Sequence, residues 1–253
     1  MIKIVKVGGK LVENERILDE LCNKLAVYYP SCVLVHGGGS MAGQLATRLG
    51  IETRMHEGRR IPDALTLDVT VMAYAGLANK KIVACLQAKQ INACGLSGCD
   101  MNVIVSHKRA ITAIDWGYVG DIEQVKEEVL AFLLERKIMP VLSPITCSAA
   151  GQLLNTNADS VASATAIALS RKYETELVFC LDKPGVLKDI QDENSVIPFI
   201  DRKTYKELLK EKNIHAGMLP KLENAFKTLD AGVKKVRLTS PADLEGGTVL
   251  MKE

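Results

Sequence analysis

Five glycines and one lysine near the start of this 253-residue chain have the types and spacing to do chemistry. The apolar run Ile2–Val7 reads as a strand and ends on Gly8-Gly9. Val33–His36 reads as a second strand and ends on Gly37-Gly38-Gly39. An amphipathic stretch that reads as a helix follows each. A strand that turns through glycines into a helix leaves bare backbone N–H groups at the helix N-terminus, where an anion is favoured. Two such turns point to two anionic groups side by side, and so to phosphate or carboxylate chemistry. Lys6 shares a strand face with Ile2 and Ile4, with only Val7 between it and the glycines. It must either snorkel to solvent or neutralise an anion.

Other groups carry weaker signals. Arg59 and Arg60 stand ahead of a long helical pattern, and an arginine fork suits a carboxylate, although paired loop arginines are commonly solvated. Asn155-Thr156-Asn157-Ala158-Asp159 leads into a helix of small residues. It reads either as ordinary capping or as Asn155 on a ligand and Asp159 ordering nearby cations. Asp182-Lys183-Pro184-Gly185 follows an apolar strand. It reads as a turn, or as a ligand contact at the edge where α/β sheets place their sites. Lys221 follows Gly217-Met218-Leu219-Pro220 and precedes a helix.

The elements that would position these groups alternate. Ile17, Leu18, Leu21 and Leu25 mark one helix face, and Ala42, Leu45, Ala46 and Leu49 another. Asp63–Gln87 predicts a long helix with Pro62 near its start. It is apolar nearly all round and so needs cover from this chain or from a second copy. Asn102–Val105 and Ala110–Ala113 read as short strands. Asp121 with Gln124 reads as a capping box for a helix bearing Val125, Val129, Phe132 and Leu133. Ile138–Leu142, Leu177–Leu181, Val236–Thr239 and Thr248–Met251 read as strands, and Ser160–Ser170 as a tight-packing helix. The pattern predicts a mostly parallel open sheet covered on both faces. If there are two lobes, they join near Arg171–Glu176.

Composition narrows the function classes. Apolar residues make up 47% and charged residues 25%, the balance of a globular chain. A net charge of +2 and 4% aromatic residues give no reason to expect nucleic acid or an anionic membrane as partner. The longest apolar candidate, Val161–Leu169, is well short of the roughly 20 residues that span a bilayer. The chain opens on a strand rather than a leader. Its seven cysteines are odd in number and lack a Cys-x-x-Cys pair. They read as reduced thiols in a cytoplasmic protein. Cys94 and Cys99 lack the partners of a metal site.

Lys6-Val7-Gly8-Gly9, Val35-His36-Gly37-Gly38-Gly39, Gly58-Arg59-Arg60, Asn155–Asp159 and Gly217–Lys221 occur in one order along the chain. Through them the chain resembles the amino-acid kinase family over essentially its whole length, and most closely the branch that acts on N-acylated glutamates. The resemblance implies a three-layer αβα sandwich with two lobes. Residues 1–174 would bind the amino acid and dimerise, and residues 175–253 would bind the nucleotide. It implies transfer of the γ-phosphoryl group of ATP, with Mg2+ carried by the ATP, to the side-chain carboxylate of an N-acyl-L-glutamate in arginine biosynthesis. The acyl group would be acetyl, with succinyl as the alternative. Lys6 and Lys221 would neutralise the moving phosphoryl group, and Asp159 would hold both lysines. Gly37, Gly38, Arg60 and Asn155 would bind the acceptor. Gly8, Gly9, Asp182, Lys183, Gly185, Leu187, Asn213 and His215 would touch the nucleotide.

Two positions depart from the family pattern, Arg59 and Pro62, and Ser106–Trp116 has no usable counterpart in it. Arg59 either pairs with an extra carboxylate, as on a succinyl group, or stays solvated. With no extra N-terminal helix ahead of the first strand, an arginine-insensitive homodimer is expected. The competing readings are a kinase of carbamate, glutamate, aspartate or UMP, or a non-catalytic amino-acid sensor on the same fold. A nicotinamide dehydrogenase is disfavoured because neither glycine turn has the Gly-x-Gly-x-x-Gly spacing.

Overall fold

The structure, a computed structural model, describes residues 1–210 and 218–252. Its strands are β1 (Ile2–Val7), β2 (Cys32–His36), β3 (Arg54–His56), β4 (Arg59–Ile61), β5 (Ala93–Leu96), β6 (Ile104–Lys108) and β7 (Gly120–Val125). They continue as β8 (Met139–Leu142), β9 (Ile145–Cys147), β10 (Leu153–Asn155), β11 (Thr175–Cys180), β12 (Phe199–Ile200), β13 (Lys235–Thr239) and β14 (Thr248–Met251). The helices are α1 (Gly9–Glu13), α2 (Glu15–Ala26), α3 (Gly39–Arg48), α4 (Ala64–Val71), α5 (Asn79–Ala88), α6 (Glu127–Glu135), α7 (Ala158–Ser170), α8 (Arg202–Lys210) and α9 (Leu219–Asp230). A π-helical stretch, Met72–Ala78, joins α4 to α5 into one continuous rod.

Eight strands form one sheet in the order β12-β14-β13-β11-β1-β2-β8-β5. All neighbours run parallel except β13 and β14. The sheet is continuous across Arg171–Glu176, because β11 pairs with β1 from Ile2 to Lys6. Successive residues of a strand face opposite ways, so β1 feeds two cores. Ile4 packs with Val35, Leu142, Val161 and Phe226 on the face that α6, α7 and α9 cover. Val5 and Val7 pack with Leu21, Leu25, Ile82 and Leu86 on the face that α2 and α5 cover. This is the expected αβα sandwich with a mostly parallel sheet. A four-stranded sheet (β10-β9-β6-β7) and the β3–β4 hairpin lie beside it.

At the N-terminal ends of the central strands lies a buried ion cluster. Glu176, which has no exposed surface, meets Lys3 at 3.2 Å, Lys235 at 3.2 Å and Arg237 at 2.9 Å. Glu245 joins it through Lys3 at 2.7 Å, and the Tyr28 hydroxyl donates to the same Glu245 oxygen.

Three local expectations are corrected. Ala110–Ala113 is irregular, because the chain leaves the sheet after β6 ends at Lys108. Asp121 caps no helix. It lies in β7, which pairs antiparallel with β6, and it holds the guanidinium of Arg109. Helix α6 starts only at Glu127. The helical rod Ala64–Ala88 is 25 residues, long and apolar enough by length and composition to cross a bilayer. The reading of Val161–Leu169 as the longest apolar run overlooked it. One face of the rod is buried through Leu67, Val69, Ala73, Ile82 and Leu86, whereas Leu65, Met72 and Leu77 are exposed.

Candidate active site

The two glycine turns sit at the C-terminal ends of the adjacent strands β1 and β2 and open helices α1 and α3. They touch. A Cβ on Gly9 would lie 2.7 Å from both the Cα and the N of Gly38, and a Cβ on Gly38 would collide with the Tyr74 ring. Only glycine permits that approach. The N–H groups of Gly8, Gly9, Gly38 and Gly39 donate to no backbone carbonyl among the described residues. They remain available to a ligand.

A cavity of about 610 Å³ opens over these turns. Lys6 enters it from β1 on the sheet face that α7 covers. Asn157 caps α7, accepting from the N–H groups of Asp159 and Ser160 at 2.8 and 3.1 Å. That cap sets Asp159 in the first turn, where the helix dipole favours a negative charge. Pro220 lies in the first turn of α9 and Lys221 follows it inside that turn, rather than ahead of the helix as expected. The three side chains meet. Lys6 Nζ is 2.6 Å from Asp159 Oδ1, and Lys221 Nζ donates to Oδ2 at 2.9 Å. The Lys6 contact is an ion pair whose angle falls outside hydrogen-bond geometry. Burial would raise the Asp159 carboxyl pKa, but the charges of Lys6 and Lys221 outweigh it and hold the group below the usual carboxylate range. Asp159 is therefore ionised at neutral pH.

Arg60 reaches the same cavity from β4. Its Nη2 donates to the Gly39 carbonyl at 3.1 Å, while Nε and Nη1 are buried without a partner. Two buried guanidinium nitrogens without acceptors are costly unless an anion fills the gap. Among the described residues no carboxylate pairs with Arg60 or with Arg59. Asn155 ends β10 and borders the cavity, its own N–H bound to the Tyr118 carbonyl at 2.9 Å.

Lys6, Gly8, Gly9, Gly37, Gly38, Arg60, Asn155, Asp159 and Lys221 all line this one cavity. Asp182, Lys183, Gly185 and Leu187 do not. They follow β11 beside it, where Lys183 pairs with Glu193 at 2.9 Å. Gly185 packs against Thr248 and Val196, and Leu187 is buried and bridges to Val196. Any ligand contact at Leu187 must come from its backbone. Asn213 and His215 lie outside the described residues.

Sequence reasoning missed Tyr74 and Trp116. Tyr74 read as one more apolar position of the long helix, yet it lies under Gly38. Burial pushes its phenol pKa up, and the Arg60 guanidinium beside it pulls the other way. Trp116 forms a cavity wall. It packs edge-on against His56, with ring centroids 5.6 Å apart, and under the Arg109 guanidinium at 5.4 Å. Arg109 is itself held bidentately by Asp121. The one available signal was that Trp116 is the sole tryptophan.

The chain is similar to known proteins over nearly its whole length. The model of a family described as "Amino acid kinase family" matches residues 1–240. The acetylglutamate kinase of Parabacteroides distasonis is 49% identical over 244 residues, 96% of each chain. That of Methanopyrus kandleri is 36% identical over 249 residues, 97% of this chain and 96% of the relative. Among solved structures, smu.665 from Streptococcus mutans UA159 superposes with a TM-score of 0.80 at 26% identity, covering 99% of this chain and 98% of that one. A carbamate kinase from Giardia superposes at 0.70 with 14% identity, over 100% of this chain and 99% of its own; at that identity it shows the fold alone.

Proposed function

Because the chain belongs to the amino acid kinase family, we propose that it phosphorylates the side-chain carboxylate of N-acetyl-L-glutamate from ATP, a step of arginine biosynthesis. Full-length relatives that carry the acetylglutamate kinase name support this reading. The observation that carries it is Asp159 bridging Lys6 and Lys221 over two touching glycine turns.

Transfer between two anions is limited by repulsion and positioning. The acceptor carboxylate is already ionised at neutral pH and needs no base. Asp159, held as the anion, serves instead to aim two ammonium groups. Lys6 and Lys221 then neutralise the phosphoryl group as an acceptor oxygen bonds to phosphorus and the bond to the ADP oxygen breaks. Gly8 and Gly9 offer N–H donors to the phosphates, and Gly37 and Gly38 to the acceptor side. Arg60 binds the α-carboxylate with its two free donors, and Asn155 binds the acylamino group. Residues 1–174 supply the acceptor side. Residues 175–253 supply Lys221 and, through Asp182–Leu187, Asn213 and His215, the nucleotide side.

Among the described residues Asp159 is the one carboxylate lining the cavity, and both lysines already hold it. A protein-held Mg2+ needs more oxygen ligands than that, so the ion fits as part of the nucleotide, where it would neutralise phosphate charge. Free thiols at all seven cysteines fit a reducing, cytoplasmic setting. The exposed Leu65, Met72 and Leu77 on the long helical rod support a homodimer. The homodimer is proposed to be insensitive to arginine; a hexamer by light scattering overturns the first statement and inhibition by millimolar arginine the second.

Arg59 supports a second reading of the acyl group. It lines the cavity near Trp116 and Met55 without a carboxylate partner among the described residues, as a site for N-succinyl-L-glutamate would require. Hydroxylamine-trapped acyl phosphate, measured as kcat/KM for the two acylglutamates, decides. A preference for acetyl leaves Arg59 solvated. A preference for succinyl that Arg59→Leu abolishes assigns it to the acyl pocket, and activity on neither overturns the proposed reaction.

A further inference from the structure

His36 closes β2 directly ahead of the second glycine turn, and no part of it is exposed. A histidine so buried, with no acid beside it among the described residues, stays neutral; burial pushes its pKa down to about 4, and Lys80, the nearby charge, acts in the same direction. A neutral imidazole has one N–H and one acceptor nitrogen, and the surroundings decide which is which. Nδ1 lies 2.8 Å from the Gly37 carbonyl oxygen, which can only accept, so Nδ1 carries the proton. Nε2 lies 3.1 Å from Asn79 Nδ2, which can only donate. The same Asn79 nitrogen donates to the Val141 carbonyl at 2.9 Å, and Asn79 Oδ1 accepts from Lys80 Nζ at 3.1 Å. Flipping the amide would set Oδ1 against the Val141 oxygen and leave Lys80 facing an NH2. The tautomer is thus specified at both ends.

The consequence falls on one peptide plane. Gly37 is pinned by its N–H to the Val7 carbonyl at 2.9 Å and by its oxygen to His36. The Gly37–Gly38 peptide is trans, so its C=O and N–H point in opposite directions. With the oxygen turned to the buried imidazole, the Gly38 N–H points away from it, and Gly38 lines the cavity. It donates to no backbone carbonyl among the described residues.

We propose that His36 is a positioning residue: its Nδ1–H holds the Gly37 carbonyl so that the Gly38 N–H faces the acceptor carboxylate as the phosphoryl group arrives, and Asn79 fixes the imidazole in that tautomer. The catalytic half of this inference rests on the proposed kinase reaction; the tautomer does not.

Two substitutions separate the two ring nitrogens. In His36→Asn the side-chain amide can place an N–H where Nδ1 stands; in His36→Gln the amide reaches only the Nε2 position. We expect His36→Asn to keep kcat within about threefold and His36→Gln to lose about 100-fold, the cost of a misplaced oxyanion-type donor, with similar melting temperatures. Nitrogen-15 spectra of the wild-type imidazole should show the Nδ1–H tautomer. Equal kcat in the two variants, or an Nε2–H tautomer, overturns the proposal. A wild type inactive on both acylglutamates would count against the reaction itself, and the spectrum, which needs no substrate, would still decide the tautomer.

Discussion

Gly9 and Gly38 are in contact, and no side chain can be inserted between them: a Cβ on Gly9 would stand 2.7 Å from the Cα of Gly38. The two glycine turns are therefore one rigid object rather than two loops. A side chain there forces the strand ends apart.

Gly9→Ala and Gly38→Ala should each cost about 1–3 kcal/mol of stability, as overpacking does, and should abolish most activity. Gly8→Ala meets nothing within 4 Å and should melt with the wild type. Thermal melts of the three variants check this, and equal losses at Gly8 and Gly9 would refute the steric account.

Asp159→Asn removes the charge that aims Lys6 and Lys221. We expect kcat to fall on the order of 100-fold or more, with KM for the acylglutamate little changed, because Arg60 and Asn155 are untouched. A loss confined to KM would instead place Asp159 on the acceptor.

His36 titrates in the unfolded chain near its ordinary value of about 6.5 but in the folded chain only at about 4. Between those values the unfolded state binds the extra proton. Its share of stability is complete above pH 6.5 and declines as pH falls toward 4, with a slope of at most about 1.4 kcal/mol per pH unit. Urea melts at pH 7, 6 and 5 should show this slope in the wild type and a flatter one in His36→Asn.

Glu176→Gln leaves Lys3, Lys235 and Arg237 around a buried site without its central anion. Breaking a buried ion cluster in this way costs about 3–5 kcal/mol. The cluster lies at the strand ends opposite the cavity, so kcat at 25 °C should be unchanged while the melting temperature drops by more than about 6 °C. A kcat effect without destabilisation would contradict the separation.

Local signals made much of this legible from sequence. Gly8-Gly9 and Gly37–Gly39 announce themselves because strand, glycine and helix are consecutive, and Asn155–Asp159 because a cap and its helix are. Lys6 stood out as a charge on an apolar strand face. Tyr74 and Asn79 were silent because each reaches the site across the fold. A tyrosine or asparagine within a helix gives no hint of which loop it will meet. Asp121 misled for a related reason. Its spacing to Gln124 suits a cap, but pairing with β6 and with Arg109 overrides a preference worth only about 1 kcal/mol.

The stretch Met72–Ala78 has a further consequence. In an α-helix of about 3.6 residues per turn, positions five apart point roughly 140° away from each other. Tyr74 and Asn79 are five apart, yet one lies under Gly38 and the other grips His36. The π-helical hydrogen bonding, which closes on the fifth residue, swings both onto a common side. One surplus residue in a helix thus sets the angular phase of the whole floor beneath the glycines. A single deletion there, harmless to hydrophobicity, would rotate one support out from under the site.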